Sequence, residues 1–502
     1  MRTFFGGEIL LPALSILILT LFFLFKLVAF DRLQYFGDIF GFVQVAQGFA
    51  DGYPLLHDND FGDHKPSHNF YLVLSFFPLV RFLGAYGLFV VQLIFYLAAL
   101  VAFYTLVRRK GNNLLPWCAW LIFFLGPVSF WLWDDAPYGW HAQILFPPLC
   151  LALAAGFLGD RRIALLAGIL LILLHEQGAI LCWAIHFTWI VVRAGAEQSR
   201  SPWKRLALVT AGWLSVFICG LLLQSLFHDG DQSRLSTSIA RLELITRPPV
   251  RAEFIASIVD CLLLLLSGLV LLLAIGNRRA MAAAFLSILV LFVPATIAAM
   301  PYSLWWPELR NHAFAWPPRF VAMWSYLAAC TLIAIWYGAL QSRLRSSRTL
   351  ALVLVVVSLS LQFGILEWRR GYSMFERVGN VMKGVPTRVT QQERDFLECL
   401  AGSIPPRSEV MTPPWLFSIF HHHYMWRGEH IPPVKPIADL IVVDLLNRSS
   451  YDGTELGRLL RTLEESGHEQ RRTGSIVVGF SEEAGRAASG CFGNATPDAS
   501  SY

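Results

Sequence analysis

Asp38 stands a few residues past the first long apolar stretch, at the head of the run Ile39–Gly48. A carboxylate held at a membrane surface can take the proton of a hydroxyl. It can equally N-cap the helix that follows. Asp63-His64-Lys65-Pro66-Ser67-His68 gathers an acid, two imidazoles and an ammonium within six residues. Lys65 offers a point charge to a phosphate, and His64 and His68 offer donors or metal ligands; a solvated polar loop is the competing reading. Trp133-Asp134-Asp135-Ala136-Pro137-Tyr138-Gly139-Trp140-His141 combines acids with rings. That suits a sugar, whose apolar faces stack on aromatics while its hydroxyls donate to carboxylates. It also suits an interfacial aromatic belt. His175-Glu176 interrupts an apolar stretch, where a charge needs a partner or a water-filled cavity. Arg310, His312 and Arg319 could grip phosphate or reach the interface from an apolar span. His421-His422-His423, with His430, lacks zinc-ligand spacing. No His-Glu-x-x-His, Gly-x-Ser-x-Gly or Walker loop occurs.

Elements must position these residues, and the composition says which kind. The 502 residues are 55% hydrophobic and only 15% charged, with mean hydropathy +0.53. No soluble core needs that much apolar surface, so a polytopic membrane protein is expected, and a cytosolic enzyme, a disordered chain and a secreted disulfide scaffold are excluded. Apolar runs near 9–30, 86–107, 114–133, 141–158, 206–227, 254–275, 281–299, 318–340 and 349–366 each approach spanning length. The first is read as a retained helix rather than a cleaved signal. Residues 163–192 are too long for one span and break at His175-Glu176-Gln177, predicting two short helices in a hairpin. The sum is about eleven spans. From Ile39, apolar positions 39, 42, 43, 46, 49 and 50 follow a helical period opposite Gln44, Gln47 and Asp51, predicting an amphipathic helix in the interface. Asn69–Leu83 reads as a helix lying along the membrane or entering it obliquely, not as a full span.

Charge then orients the chain. Connections around 108–110, 161–162, 193–205, 278–279 and 343–348 hold 14 basic residues against Asp160 and Glu197. The positive-inside rule places them in the cytoplasm, with the N-terminus inside and the first loop 31–85 outside. The tail from 367 is then also outside. It reads as a small α/β domain over 367–485, with strands at 409–412, 440–443 and 476–480, helices at 395–401 and 453–465, and a flexible end at 486–502. Six of the eight cysteines lie in apolar spans as small hydrophobes. Cys399 and Cys491 could pair if the tail faces an oxidising compartment.

An aspartate after the first span, a helix rich in Ala and Gln, Gly52-Tyr53-Pro54, and then Lys65-Pro66 leading into a surface helix resemble the GT-C superfamily of integral-membrane glycosyltransferases. Lys65-Pro66 is similar to the Lys-Pro-Pro or His-Pro-Pro of that superfamily. Asp38, His68, Tyr138 to Gln143, His175-Glu176-Gln177, Ile404-Pro405-Pro406, Phe420 to Arg427 and Ala438 to Asp444 look like an uncharacterised bacterial branch of predicted membrane proteins within it. Ala142-Gln143 stands where that branch has Pro-Glu, and His175 and Gln177 where it has Lys and Asp. The resemblance implies an all-α polytopic bundle over 1–366 in a bacterial inner membrane and an outward-facing active site. It implies a polyprenyl-phosphate-linked sugar donor and a glycan, lipid or protein acceptor, with membrane lipids as surroundings and no nucleic acid. Asp38 would be the catalytic base; Asp63, His64, Lys65, His68, Asp134, Asp135, His141, His175, Glu176, Arg310, His312 and Arg319 would hold substrate. A divalent metal is compatible, since some members use one, although no ligand set stands out. A flippase for a lipid-linked sugar and a non-catalytic membrane scaffold are the competing classes.

Overall fold

The computed structural model describes residues 5–35, 37–59, 69–109, 114–136, 138–197, 202–225, 348–369, 373–384, 389–426, 438–445, 460–494 and 496–497, and isolated positions between 248 and 336. The membrane region begins with α1 (Phe5–Asp31), α2 (Ile39–Gln47), α3 (Tyr71–Leu74), α4 (Phe77–Leu83) and α5 (Ala85–Arg109). It continues with α6 (Leu114–Phe124), α7 (Pro127–Asp134), α8 (Phe146–Leu158), α9 (Arg161–Leu174), α10 (Gly178–Glu197), α11 (Pro202–Ser225) and α12 (Arg348–Phe363). Among the described residues three helices are long and apolar enough to cross a membrane, lying within α1, α5 and α11. A fourth span results if α6 and α7 count as one segment bent by 43°. The bend falls at Gly126-Pro127, where proline removes a backbone donor and clashes with the preceding turn. Most of the expected spans at 254–275, 281–299 and 318–340 lie outside the described residues, so the total of eleven stays an expectation.

The hairpin forms where the polar break predicts it. α9 and α10 meet at His175-Glu176-Gln177, and the α9 N-terminus is capped by Asp160, whose side chain accepts from Arg162 N. The expected interfacial helix is different. All nine residues of α2 are buried, Gln44 and Gln47 included. Its polar face meets protein rather than headgroups: Gln44 Nε2 donates to Met425 O at 3.0 Å, and Gln44 Oε1 accepts from Asn59 N at 2.8 Å. A helical period reports which side is polar, not what covers it.

After the last helix come α13 (Met374–Lys383) and α14 (Gln391–Ser403). The α14 N-terminus is a full capping box, with Thr390 and Glu393 bonding reciprocally. A six-stranded mixed sheet follows: β1 (Glu409–Met411), β2 (Tyr424–Trp426), β3 (Leu440–Asp444), β4 (Glu469–Thr473), β5 (Ile476–Phe480) and β6 (Thr496–Pro497), in the order β2-β1-β3-β5-β4-β6. β3 and β5 are buried along their whole length and pair antiparallel, Val442 opposite Val478. These are the continuous apolar runs that read as strands in the sequence. β2, Tyr424-Met425-Trp426, is buried but only three residues long, and β4 and β6 carry no apolar run. The chain stays ordered through α15 (Glu482–Ala487), and Cys491 bonds Cys399 of α14.

The sheet domain sits on the first loop. Phe40 packs on Phe417, Tyr53 Oη donates to Glu409 at 2.8 Å, and Arg394 Nη1 donates to Asp31 O at 2.7 Å.

Candidate functional site

The segment after α7 places the site. Trp131 O accepts from Asp135 N, and Asp135 then turns left-handed at φ 51°, a region Asp visits more readily than most residues. Gly139 N closes the turn on Asp135 O at 2.8 Å. The start of α2 is pinned against this turn, because Ile39 N donates to Tyr138 O at 3.1 Å. The approach is so close that a Cβ on Gly37 would lie 2.7 Å from Tyr138 Cα. Glycine is therefore required there, and it brings Asp38 to His141.

A carboxylate–imidazole–carboxylate chain results. Asp38 Oδ2 lies 2.9 Å from His141 Nε2, and His141 Nδ1 lies 2.6 Å from Asp135 Oδ2. Asp38 is at the N-cap position of α2 but makes no side-chain cap bond. Its carboxylate is spent on His141 instead, and 38% of its side chain is exposed against 6% for Asp135. Burial works against charge on His141, yet Asp135 and Asp38 outweigh it and lift the imidazolium to about 10. Burial pushes the Asp135 carboxyl up, while His141 and Lys26 pull it back. The imidazole of His141 is thus flanked by a buried acid, Asp135, and a partly exposed one, Asp38.

A second set of contacts holds this one rigid. Asp134 is buried and accepts from Tyr35 Oη at 2.6 Å and from Arg377 of α13, Nε at 2.8 Å and Nη2 at 3.2 Å. Arg377 Nη1 also donates to Gln34 Oε1 at 2.9 Å. Lys26 lies buried in α1, donating to Gln92 Oε1 at 2.8 Å and to Trp133 O at 2.6 Å. Adjacent acids therefore do different work: Asp135 orients the imidazole and Asp134 ties the turn to α13.

His175 and Glu176 form a third group at the hairpin break. Glu176 Oε2 accepts from Asn69 N at 3.2 Å, and Asn69 Nδ2 donates to Gly220 O at 2.7 Å. Aromatic rings join this group to the first: His141 to Phe42 at 6.4 Å, Phe42 to Phe70 at 4.9 Å, and Phe70 to His175 at 5.6 Å between centroids. Of the residues expected to hold substrate, Asp135 and His141 join Asp38, Asp134 pairs with Arg377, and His175 and Glu176 lie beyond the aromatic wall. Asp63, His64, Lys65, His68, Arg310, His312 and Arg319 lie outside the described residues. Among the described residues no group of three or more His, Cys, Asp or Glu is arranged to hold a metal ion.

Lys26, Tyr35 and Arg377 were not among the expected site residues. Lys26 had a signal, since one ammonium inside an apolar span needs an internal partner. Arg377 had none, because 243 residues separate it from Asp134.

Spanning helices, buried ion pairs at one end of the bundle and a small sheet domain over them define an integral-membrane protein. The family model described as "Predicted membrane protein (DUF2079)" matches residues 49–422, and the chain belongs to that family. Asp135, His141, His175 and Glu176 fall inside the match; Asp38 precedes it. No curated protein and no solved structure matches the chain.

Proposed function

We propose that this protein is a GT-C-type glycosyltransferase of a bacterial inner membrane, moving a sugar from a polyprenyl-phosphate donor to an acceptor on the extracytoplasmic side. The observation that carries the reading is the Asp38–His141–Asp135 chain, whose exposed end is a carboxylate at the mouth of a membrane bundle. In this reading the Asp38 carboxylate takes the acceptor hydroxyl proton as the acceptor oxygen attacks the anomeric carbon. The carbon–oxygen bond to phosphate breaks on the opposite face, polyprenyl phosphate leaves with the electron pair, and the configuration inverts. His141, anchored by Asp135, holds the Asp38 carboxylate in place. The outward orientation draws support from the arginine-rich connections and from the Cys399–Cys491 bond, a linkage that persists in oxidising compartments.

The test is transfer from a radiolabelled polyprenyl-phosphate sugar by purified protein. Asp38→Asn should lower turnover by about 10²–10⁴-fold, the usual contribution of a general base, while the protein stays folded by circular dichroism. Undiminished turnover in that variant would refute the role of Asp38. Movement of the lipid across the bilayer without turnover would mark a flippase, and neither activity a scaffold.

A further inference from the structure

The sheet domain also meets the membrane bundle through a histidine-rich turn. His423 N closes that turn on Phe420 O at 2.8 Å, and His421 projects from it against the last residues of α1 and the first of α5. The His421 ring stands edge-on to Phe30 at 5.5 Å and to Tyr86 at 5.2 Å between centroids, and lies 4.1 Å from the ring of His422. Its Nδ1 faces Gly84, the joint between α4 and α5, where the chain turns at φ 57° and no room is left for a Cβ. Glycine is needed there for space as well as for conformation, so the joint is shaped to receive the imidazole.

This seat has no acceptor for a second ring proton. His421 Nδ1 is closed to solvent and makes no hydrogen bond, and the same holds for His423 Nδ1. His423 Nε2 lies 2.9 Å from Ala401 O of α14, so the ring proton of the neutral form sits on that nitrogen. An imidazolium carries N–H on both nitrogens. Protonation therefore drives a charged donor into an enclosed space without an acceptor. The charged groups of the packed elements are engaged elsewhere. Asp31 of α1 accepts from Tyr86 Oη of α5, and Lys26 of α1 is held by Gln92 and Trp133 O. Arg394 of α14 donates to Asp31 O and pairs with Glu398 at 2.6 Å. Arg81 of α4 and Arg407 of the sheet domain both pair with Asp51, and Asp439 accepts from Glu409 N. Among the described residues only His422 and His423 act on His421 electrostatically, and both oppose its charge. Burial first, and then these neighbours, hold the His421 imidazolium down to about 3. Burial also holds His422 and His423 below the usual range, although Ala401 O draws His423 back.

We propose that the His421–His423 turn is an acid-sensitive latch, which seats the sheet domain on α1 and α5 while its imidazoles are neutral and releases it when they take up protons. A histidine held lower in the seated state than in the open one adds stability that is full above about 6.5 and is lost as pH falls toward about 3. Release would uncover α2, whose Gln44 bonds Met425 O of the same domain. The latch does not depend on the reaction proposed for Asp38.

Hydrogen exchange of the full-length purified protein in detergent tests this, followed in residues 416–424 and in α2. Rates are expressed as protection factors, which removes the intrinsic pH dependence of exchange. Between pH 7.5 and pH 5 protection should fall about 30-fold, the loss for one imidazole that titrates near 6.5 once released, while α9 and α10 stay unchanged. His421→Gln should hold protection within about threefold over the same range. His421→Phe, which keeps a ring against Phe30 and Tyr86, serves should glutamine unseat the turn. Protection in the native protein that does not change with pH would overturn the latch. So would an equally steep fall in either variant that seats normally at pH 7.5. A parallel fall in α9 and α10 would mark general acid unfolding and overturn it as well.

Discussion

His141 gathers the consequences of the site into one side chain. Its imidazolium is raised from 6.5 to about 10 against the opposing effect of burial, because Asp135 and Asp38 flank it. A raised cation contributes stability that is fully present below about 6.5 and is lost as pH climbs to about 10. Thermal unfolding followed from pH 6 to 10.5 should therefore show a fall in melting temperature across that window, and His141→Gln should flatten it. An equally steep fall in the variant would remove His141 as its source. Asp134 makes the same point about neighbours in sequence. It and Asp135 look interchangeable in the chain, and only their partners, Arg377 and His141, separate their roles. Arg377→Met leaves Asp134 buried without its guanidinium, which should cost about 3–5 kcal/mol in denaturant unfolding. Lys26 was readable as an anomaly, one ammonium in an apolar helix. Its partners Gln92 and Trp133 O were not, since they come from elements more than 60 residues away.

Elements were more legible than their surroundings. The hairpin break at His175-Glu176, the strands β1, β3 and β5 and the helix α14, expected at 395–401 and observed at Gln391–Ser403, fall where apolar pattern and polar interruption predict them. Each is a local property: a short apolar run such as Leu440–Val443, or a polar break between two apolar stretches. α2 shows the limit, because Gln44 could face headgroups or protein with the same period. Its contact with Met425 O crosses 381 residues. At this scale the hairpin break acts as an anchor. Glu176→Ala removes the acceptor for Asn69 N, and faster amide exchange at Asn69 and Phe70 should report it, while exchange in β3 and β5 stays unchanged. The Cys399–Cys491 bond closes a loop of 92 residues around β1 to β5. Cys399→Ser should lower the stability of the sheet domain by about 2–4 kcal/mol, read from its unfolding with and without reductant.

For the whole molecule, charge distribution and burial act together. The arginine-rich connections predict that alkaline phosphatase fused after the sheet domain is active in a bacterial host, and that fusion at Arg109 is inactive; the reverse pattern would invert the proposed topology. Composition, the positions of apolar runs and the asymmetry of arginine are sums over local sequence, and the sequence alone determined from them a membrane bundle with a small mixed α/β tail. What only the tertiary structure decided is which polar groups meet. Asp38, Asp135 and His141 converge because Gly37 lets α2 approach the turn after α7. Asp51 of the first loop, which accepts from Arg81 of α4, also meets Arg407 because the sheet domain settles on that loop. A buried charge must find its partner wherever packing delivers one, so such pairings span hundreds of residues and leave no periodic trace in the chain.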